Sequence, residues 1–382
     1  MEREDLAAWL RLTLTDGVGN DSARRLLAAF GLPQAIFEQS SAALQQVVTP
    51  AQARALREVP AGLADLLAAT LQWLDGQDDN GRRRVVALGD AEYPGGLLSI
   101  EDPPLVLYLL GAPLPPDSAG RSIAIVGSRN PTPQGEGNAQ QFARALSSAG
   151  LTVVSGLALG VDGAAHRGAL EGAAAGQLAT IAVVGTGLDR VYPKRHLSLA
   201  HAIARQGVLV SEYPIGTPPL AQNFPRRNRL IAGLSCGTLV VEAALQSGSL
   251  ITARMAVEQG KEVFAIPGSI HATQSRGCHA LIRQGAKLVE SAQDVLEELR
   301  LEAPSVATNL IAPHADPQRA AGQNDAQTRL LQQLGFDPVS LDALIARTGT
   351  DAATLQAWLL ELELAGRVAR LPGGLFQRTG AA

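Results

Sequence analysis

Short apolar runs recur along the middle of the chain and alternate with stretches of helical periodicity. The apolar runs lie at 123–126, 152–155, 179–184, 208–211, 238–241, 262–266 and 287–290. The helical stretches lie at 135–149, 163–174, 196–205, 225–233, 249–259 and 278–284. Strands that are apolar at nearly every position and alternate with helices predict a parallel sheet covered on both faces. We therefore expect an α/β fold with an extended, doubly wound, Rossmann-like sheet, preceded by two further strands at 85–88 and 105–110.

The two ends of the chain follow other patterns. Residues 1–80 have the period of short helices and predict a small helical domain. Residues 301–324 are rich in Ala, Pro, Asn and Gln without a period, which is typical of a linker. Residues 325–382 predict three helices and a hairpin, the pattern of a winged helix. The sheet domain is accordingly expected at 81–300.

A glycine-containing turn at 14–19 separates the first two predicted helices. It resembles a helix-hairpin-helix turn, in which glycines let backbone N–H groups approach a DNA phosphate. The alternative is a plain helical turn with glycine at a helix end, and the acidic surroundings favour that alternative.

Charge is distributed unevenly, although the net value of −4 is small. Residues 121–229 contain 11 Lys/Arg and 5 Asp/Glu, a net of +6, whereas 1–80 and 290–382 each have a net of −5. A polyanion is therefore expected to bind the middle of the chain.

Targeting features also bear on the class of protein. No apolar run approaches the ~20 residues that span a bilayer, and the first residues lack the pattern of a signal peptide. Cys236 and Cys278 are the only cysteines, too few for a disulfide framework or a thiolate zinc site. We expect a cytoplasmic protein that does not enter the membrane.

Glycines, hydroxyls and basic residues follow four of the predicted strands. These segments are 127–129, 156–163, 185–194 and 246–252. In a parallel sheet, ligands bind beyond the carboxyl ends of the strands, and glycine lets backbone N–H groups reach an anion. The loop at 185–190 lacks the third glycine of a dinucleotide fingerprint, and no ATP-binding P-loop sequence occurs. A phosphate-binding site without a nucleotide cofactor is therefore predicted.

The run Asn223-Phe224-Pro225-Arg226-Arg227-Asn228-Arg229 sets one aromatic ring beside three guanidiniums. Stacking combined with neutralisation of the backbone is how proteins hold single strands without reading their sequence. The alternative is a helix start with Pro225 in its first turn and Phe224 packed into the core. The combination of ring and cations favours binding.

Two other features, one residue pair and one serine, could suggest an enzyme but are weaker signals than the binding motifs. Asp162 and His166 are spaced i, i+4 as on one helix face, but no third metal ligand has a fitting spacing, so His166 is interpreted as structural. Ser128 lacks a nucleophile elbow and a histidine base. No metal and no cofactor are expected.

These motifs together resemble the DNA-processing protein A (DprA/Smf) family. The resemblance covers about 85–290 in order and spacing, and its motifs lie at 127–129, 155–166, 187–193, 224–229, 247–253, 267–269 and 277–278. It implies a non-enzymatic protein that binds incoming single-stranded DNA during natural transformation, protects it and loads the RecA recombinase onto it. It also implies a homodimer joined through the Rossmann-like domain, with 269–285 as the expected face, a helical N-terminal domain of the SAM or helix-hairpin-helix type, and a winged helix.

The same resemblance implies DNA-binding residues. Arg129 and Lys194 correspond to phosphate contacts and Phe224 to a base contact. The backbone cradle corresponds to Gly127, Ser128 and Gly156. Arg226 and Arg229 also correspond to DNA contacts, although an Arg-Asn-Arg run can equally brace its own loop.

The predicted recognition helix of the winged helix, 351–365, contains Asp351, Glu361 and Glu363 but no Lys or Arg. A helix that reads the major groove needs the opposite charge. We therefore interpret the winged helix as a protein-interaction or regulatory module, with DNA contact only through Arg367, Arg370 or Arg378.

Two other classes of protein remain open at this point. A Rossmann-like nucleotide phosphoribohydrolase would also combine glycine loops with a glutamate, and Glu242 follows Gly237-Thr238, but the spacing is one residue too long. That reading depends on analogy of fold alone. A winged-helix transcription regulator with a ligand-sensing sheet is disfavoured by the acidic recognition helix.

Overall fold

The computed structural model of the chain describes residues 2–76, 81–301, 323–335 and 338–378. Within these ranges a helical unit precedes a nine-stranded sheet with flanking helices, and a three-stranded sheet with three helices follows. The predicted linker at 301–324 lies outside the described residues except at its ends.

Six helices make up the N-terminal unit. They are α1 (Arg3–Leu14), α2 (Asn20–Phe30), α3 (Pro33–Glu38), α4 (Ser41–Leu44), α5 (Pro50–Arg57) and α6 (Leu63–Asp75). α5 starts with a capping box in which Thr49 and Gln52 each accept from the other's backbone N–H. The apolar faces of these helices share one buried cluster with the sheet, where Trp73 meets Tyr108 edge to face at 6.0 Å. The unit is therefore packed directly on the sheet.

The glycine turn between α1 and α2 is braced from within this unit. Gly17 adopts a φ of +70°, a conformation that favours glycine, and its carbonyl accepts from Gln52 Nε2 at 2.7 Å. α2 ends at Gly31, also at positive φ. Both features are typical of a plain helical turn with glycine at a helix end. This is the alternative that the acidic surroundings of the sequence favour.

The large sheet forms as the apolar runs predict. Its strands are β1 (Arg82–Ala87), β2 (Val106–Gly111), β3 (Ser122–Val126), β4 (Thr152–Ser155), β5 (Thr180–Val183), β6 (Val208–Ser211), β7 (Gly237–Val240), β8 (Glu262–Ala265) and β9 (Lys287–Leu288). Their order in space is β1-β2-β6-β5-β4-β3-β7-β8-β9. Strands β3 to β9 are all parallel, which confirms the doubly wound prediction. β1 and β2 extend the same sheet in the antiparallel sense.

Helices cover both faces of this sheet. They are α7 (Pro133–Ser148), α8 (Val161–Gly172), α9 (Leu197–Gln206), α10 (Asn223–Gly233), α11 (Ser249–Glu258), α12 (Arg276–Arg283) and α13 (Ala292–Glu298). Ile123 and its face of the sheet pack against α7 and α8, whereas Ala124 and the opposite face pack against α10 and α11. Because successive strand residues point to opposite faces, strands covered on both sides are apolar throughout.

The chain order reverses direction at β3. From β3 the chain builds β4, β5 and β6 on one side and then crosses to place β7 on the other side. In open α/β sheets the loops that leave such a switch point diverge and open a crevice at the carboxyl edge. The residues after β3 and β7 therefore border a crevice.

The C-terminal residues form the predicted winged helix. Its elements are α14 (Gln323–Leu334), β10 (Val339–Ser340), α15 (Leu341–Thr348), α16 (Ala352–Leu364), β11 (Val368–Leu371) and β12 (Leu375–Arg378). Leu344, Leu355, Leu359 and Phe376 lie in its buried core. The short strand β10, which pairs with β12, is an addition to the sequence prediction.

Two further expectations are tested by the fold. Cys236 and Cys278 are both free thiols. In the part of the chain that the structure describes, no helix combines the length and the apolar character needed to cross a bilayer.

The contact between α7 and α8 yields a stability prediction. A Cβ on Gly168 of α8 would lie 2.1 Å from the carbonyl oxygen of Gln140 in α7, so the two backbones touch. Alanine normally stabilises a helix interior by ~1 kcal/mol over glycine. We expect Gly168→Ala instead to lower the free energy of unfolding by ~1–3 kcal/mol, because the helices must separate.

The matched control is Gly137→Ala in α7, where no atom lies within 4 Å of the added Cβ. This variant should be as stable as the parent or more so in chemical denaturation. If Gly168→Ala is also stabilised, the close approach of α7 and α8 is wrong.

Candidate nucleic-acid interface

A cleft of about 460 Å³ opens at the switch point of the sheet. The loop that follows β3, including Ser128 and Arg129, forms one wall. The first turns of α10 and α11 form the opposite wall, and Asp162 in the first turn of α8 lies at its base. Three helix N-termini thus meet the carboxyl edge of the sheet, where their partial positive charges favour an anion.

An aromatic and cationic stack stands at the rim of this cleft. The guanidinium carbon of Arg129 lies 5.9 Å from the centroid of the Phe224 ring, within the range of a cation–π contact. Tyr192 stacks on the same Phe224 ring at 5.5 Å and is 48% exposed. Phe224 is half-buried because its ring packs on Gly185, where a Cβ would lie 3.1 Å from it. The ring is therefore a surface platform and not a core residue.

Lys194 and Arg226 are two further exposed cations, close in sequence to Tyr192 and Phe224 respectively. Lys194 follows Tyr192 by two residues and opens a short 3₁₀ turn. Arg226 lies on α10, two residues after Phe224, and borders a second cleft between α10 and the N-terminal helices. Within the described ranges neither side chain, nor that of Arg129, is paired with a carboxylate. The three cations are available to an external anion.

Arg227 behaves differently from its neighbours in the same run. Its side chain is 5% exposed, donates to the Val183 carbonyl and faces Asp162 at 3.9 Å. Burial raises the pKa of Asp162, although Arg227 opposes that effect. The carboxylate also accepts from the N–H groups of Gly156 and Ala158, each at 3.2 Å. Arg227 therefore anchors α10 beneath the cleft.

Gly156 does not belong to an open phosphate cradle. Its N–H is already donated to Asp162, and a Cβ at this position would lie 1.9 Å from Arg227 Nη1. Glycine is needed here so that the buried guanidinium can lie against the backbone. The Gly156 N–H is thus engaged within the protein, and the expected DNA contact of Gly156 stays a prediction.

Arg229 is likewise engaged within the protein. Its guanidinium pairs with Glu212 at 2.5 Å and with Asp102 at 3.2 Å, and its side chain is 14% exposed. A DNA phosphate would have to displace these carboxylates. Of the two roles open for the Arg-Asn-Arg run, the geometry of Arg229 is that of a brace.

Gly127 and Ser128 line the cleft, as expected for its rim. A Cβ on Gly127 would lie 2.8 Å from Val161 and 2.9 Å from the Glu242 carbonyl, so only glycine fits between them. The Ser128 carbonyl accepts from Val161 N at 3.1 Å, and its hydroxyl oxygen accepts from Asn130 N. These contacts fix the loop that presents Arg129.

His166 is buried, as the structural interpretation requires. Its Nδ1 lies 2.7 Å from the hydroxyl of Thr180, which itself donates to the Val153 carbonyl, so Nδ1 carries the proton. Burial lowers the pKa of His166 to about 3, which keeps the ring neutral. Among the residues that the structure describes, its Nε2 has no hydrogen-bond partner, so only one of the two ring nitrogens is hydrogen-bonded there. In the described part of the chain, no three His, Cys, Asp or Glu side chains are grouped to hold a metal.

Glu242, the residue that a phosphoribohydrolase would use, is held by the protein. Its two carboxylate oxygens accept from the N–H of Thr132 at 2.9 Å and from its hydroxyl at 2.5 Å. Burial raises the pKa of Glu242, and both contacts with Thr132 oppose that rise. The side chain stabilises the start of α7, where Thr132 is the N-cap.

The recognition helix of the winged helix, α16, presents no cation. Asp351 caps its N-terminus by accepting from Thr354 N at 3.0 Å, and Leu360 and Leu364 are exposed on its surface. Of the three candidate arginines, Arg370 stacks on Phe376 at 5.8 Å. The surface of α16 therefore differs in charge and polarity from that of the cleft.

Sequence reasoning did not assign a role to Tyr192, and it counted Arg227 among the binding guanidiniums of its run, whereas the structure buries that side chain. The Tyr-Pro pair after a glycine loop was a signal for Tyr192, because an aromatic residue at a strand end can stack. For Arg227 the signal was weaker. Three arginines within four helical residues must point in different directions, since each residue turns by about 100°.

Comparisons with known proteins match both the sheet domain and the winged helix. The sequence model described as DNA recombination-mediator protein A matches residues 84–300, and the DprA winged helix domain model matches 314–374. Protein Smf of Escherichia coli (strain K12) is 38% identical over 97% of this chain and 95% of its own length.

Two solved structures are also similar. The X-ray structure of DNA processing protein A from Streptococcus pneumoniae has a TM-score of 0.63 and 35% identity, covering 78% of this chain and 98% of that one. DNA processing protein A from Helicobacter pylori, whose structure is described for its single-stranded DNA binding mode, has a TM-score of 0.50 and 30% identity, covering 57% of this chain and 96% of that one. From these matches, which extend over the sheet and the winged helix alike, the chain belongs to the DNA recombination-mediator protein A (DprA/Smf) family.

Proposed function

We propose that this protein binds single-stranded DNA along the carboxyl edge of its large sheet. The observation that carries the proposal is the stack of the half-buried Phe224 ring with the exposed Arg129 and Tyr192 at the rim of the cleft. An unpaired base can stack on such a ring, whereas the bases of a duplex are already stacked on each other. The Helicobacter pylori relative, described for its single-stranded DNA binding mode, supports the same ligand.

The phosphate track of this proposal runs over three exposed cations. Arg129 and Lys194 follow different strands of one edge, and Arg226 lies beside Phe224 on α10. Gly127 and Ser128 form the rim, while Gly156 and Arg229 support the site from within. Contacts to backbone phosphates carry no sequence information, so we expect binding that tolerates any sequence.

The wider role is proposed from family membership. We propose that the protein acts in the cytoplasm, protects incoming DNA during natural transformation and loads the RecA recombinase onto it. The name of the family, recombination mediator, supports this role. We propose binding without catalysis, and the engagement of Glu242 by Thr132 supports that part.

We propose a different role for each part of the chain. We propose that residues 81–300 form the DNA-binding domain, with 1–80 as a helical domain packed on it and 325–382 as a winged-helix domain connected to it through a linker at 301–324. The acidic and apolar surface of α16 supports a role for the winged helix in contacts with other proteins.

We also propose a homodimer through the sheet domain, at the face formed by 269–285. Ile270 in this segment is 75% exposed, and it lines one surface depression with the partly buried Ile282 and with Leu288, which lies just beyond the segment and is 50% exposed. An apolar group of this kind on a surface is typical of a contact with another protein. Leu281, which shares this segment, packs partly against the core.

The first test compares single-stranded with duplex DNA of equal length at two salt concentrations. We expect tighter binding of the single strand, with affinity falling as salt rises. Arg129→Ala and Lys194→Ala should each weaken binding of every sequence and reduce the salt slope by about one unit. Preference for duplex would contradict the proposed ligand, and an unchanged slope in both variants would contradict the phosphate track.

The second test isolates stacking. Phe224→Ala should weaken binding by ~1–3 kcal/mol and leave the salt slope nearly unchanged, because the ring carries no charge. Since the ring lies at the surface, the melting temperature should change little. A stable Phe224→Ala protein with the affinity of the parent would exclude the stacking role.

The third test concerns the dimer. Ile270→Glu should convert the protein to a monomer in light scattering at micromolar concentration, because it places a charge in an apolar contact. Val59→Glu, at a residue 68% exposed in the N-terminal unit, is the control and should stay dimeric. A parent protein that is monomeric at this concentration would argue against the dimer itself.

A further inference from the structure

The carboxylate of Asp102, in the loop before β2, is shared by two separate parts of the molecule. From α2 of the N-terminal unit, Asn20 Nδ2 donates to Oδ2 at 3.1 Å and Arg24 Nη1 donates to Oδ1 at 3.1 Å. From α10, Arg229 Nη2 donates to Oδ2 at 3.2 Å, and Arg229 Nε donates to the Asp102 carbonyl at 3.0 Å. One residue therefore joins the N-terminal unit to the helix that carries Phe224.

The loop that contains Asp102 is held from two directions, by Arg24 of α2 and by Arg229 of α10. Arg24 also donates to the Glu101 carbonyl at 3.2 Å, so its guanidinium spans two successive residues of the loop. Arg229 forks onto both oxygens of Glu212, at 2.8 and 2.5 Å, and the two side chains are only 14% and 12% exposed. The forked, charge-assisted Arg229–Glu212 pair is shielded from water and fixes the orientation of Arg229, whereas the Asp102 side chain that Arg24 and Arg229 share is 46% exposed.

The position of α10 depends on this grip because Arg229 also acts on its own helix. Its Nη1 donates to the Arg226 carbonyl at 3.2 Å, in the turn that begins at Phe224. Arg227 holds the same helix to the sheet from its buried side. The first turn of α10 is thus held from below by Arg227 and from the side by Arg229.

We infer that Asp102 is a positioning residue for the single-strand site, through which the N-terminal unit sets the place of Phe224 and Arg226 without contacting DNA itself. This inference rests on the proposed function. Loss of the contacts that α2 makes with Asp102 would free the loop at 101–103. Arg229 would then hold α10 less firmly, and the first turn of α10 would shift. A shift of about 1 Å at a stacking platform costs contact area with the base.

The test removes the anchor at its far end. Arg24→Ala takes away the guanidinium contacts of α2 with the loop, keeps the Asn20 hydrogen bond to Asp102, and leaves every residue of α10 in place. We expect affinity for a single strand to fall by about 2- to 30-fold, the range seen for residues that act on a site from a distance. Arg25→Ala is the matched control, because Arg25 is the next residue of the same helix and, among the described residues, its ion pair and hydrogen bond are with Asp21 and Ser22 of that helix. It should bind as the parent does.

A double-mutant cycle distinguishes positioning from a merely structural link. If Arg24 acts through the place of Phe224, then Phe224→Ala should cost less in the Arg24→Ala background than in the parent. The salt slope should remain that of the parent. A structural link alone would lower the melting temperature and leave both the affinity and the cost of Phe224→Ala unchanged, which would overturn the inference.

Other outcomes are equally decisive. A salt slope reduced by about one unit in Arg24→Ala, with no coupling to Phe224, would mean that Arg24 itself contacts a phosphate and would also overturn the inference. Asp102→Asn, which keeps the shape of the side chain but removes its charge, should reproduce the weaker binding if Arg24→Ala is unstable. A parent protein that binds no single strand would refute the proposed function, whereas normal binding by the parent with unaltered binding by both variants would refute only the role of Asp102.

Discussion

Arg227 reaches from α10 under the carboxyl edge of the sheet, where its guanidinium donates to the Val183 carbonyl and faces the carboxylate of Asp162. The contact joins the end of β5, the first turn of α8 and the loop after β4, because Asp162 in turn accepts from Gly156 and Ala158. Removing one partner of such a buried pair typically costs ~3–5 kcal/mol, since the other charge is left without compensation. The cleft keeps its shape because these loops share one charge pair.

This buried pair also explains why adjacent residues of one run serve different purposes. α10 turns by about 100° per residue, so Arg226 faces outward while Arg227 points inward and Arg229 points to the side. Phe224, three residues before Arg227, is held at the rim, where it meets Arg129 and Tyr192. The internal contacts of Arg227 and Arg229 fix the position of α10, and the outward-facing residues of that helix are held in place with it.

The arrangement also reconciles a weakly acidic protein with a polyanionic ligand. The excess of positive charge lies in residues 121–229, and Arg129, Lys194 and Arg226 are exposed from that segment. Other cations of the segment are neutralised internally, as Arg167 is by Glu136 and Arg190 by Asp189. In the proposed function, a few unpaired cations at one edge of the sheet would provide the attraction, and Debye screening would limit the influence of the acidic ends.

The sequence by itself determined the class of fold and the edge on which the site lies. Apolar strands that alternate with helices can be buried only as a parallel sheet between two helical layers, and glycine loops after β3, β4 and β5 mark its carboxyl edge. The motif that contains Phe224 and three arginines identified the helix that faces the cleft. These are local properties, set by periodicity and by the residue types that a turn or a phosphate requires.

Only the tertiary structure decided which of those residues face outward. Gly156 was expected to cradle a phosphate, but its N–H is taken by Asp162, a residue of the following helix. Arg229 was open to two roles, and two carboxylates that are distant in sequence, Asp102 and Glu212, engage it as a brace. Tyr192 reaches Phe224 across 32 positions of the chain. The sequence specifies each group that can bind an anion, but whether that group is free depends on partners that only the fold brings within a few ångströms.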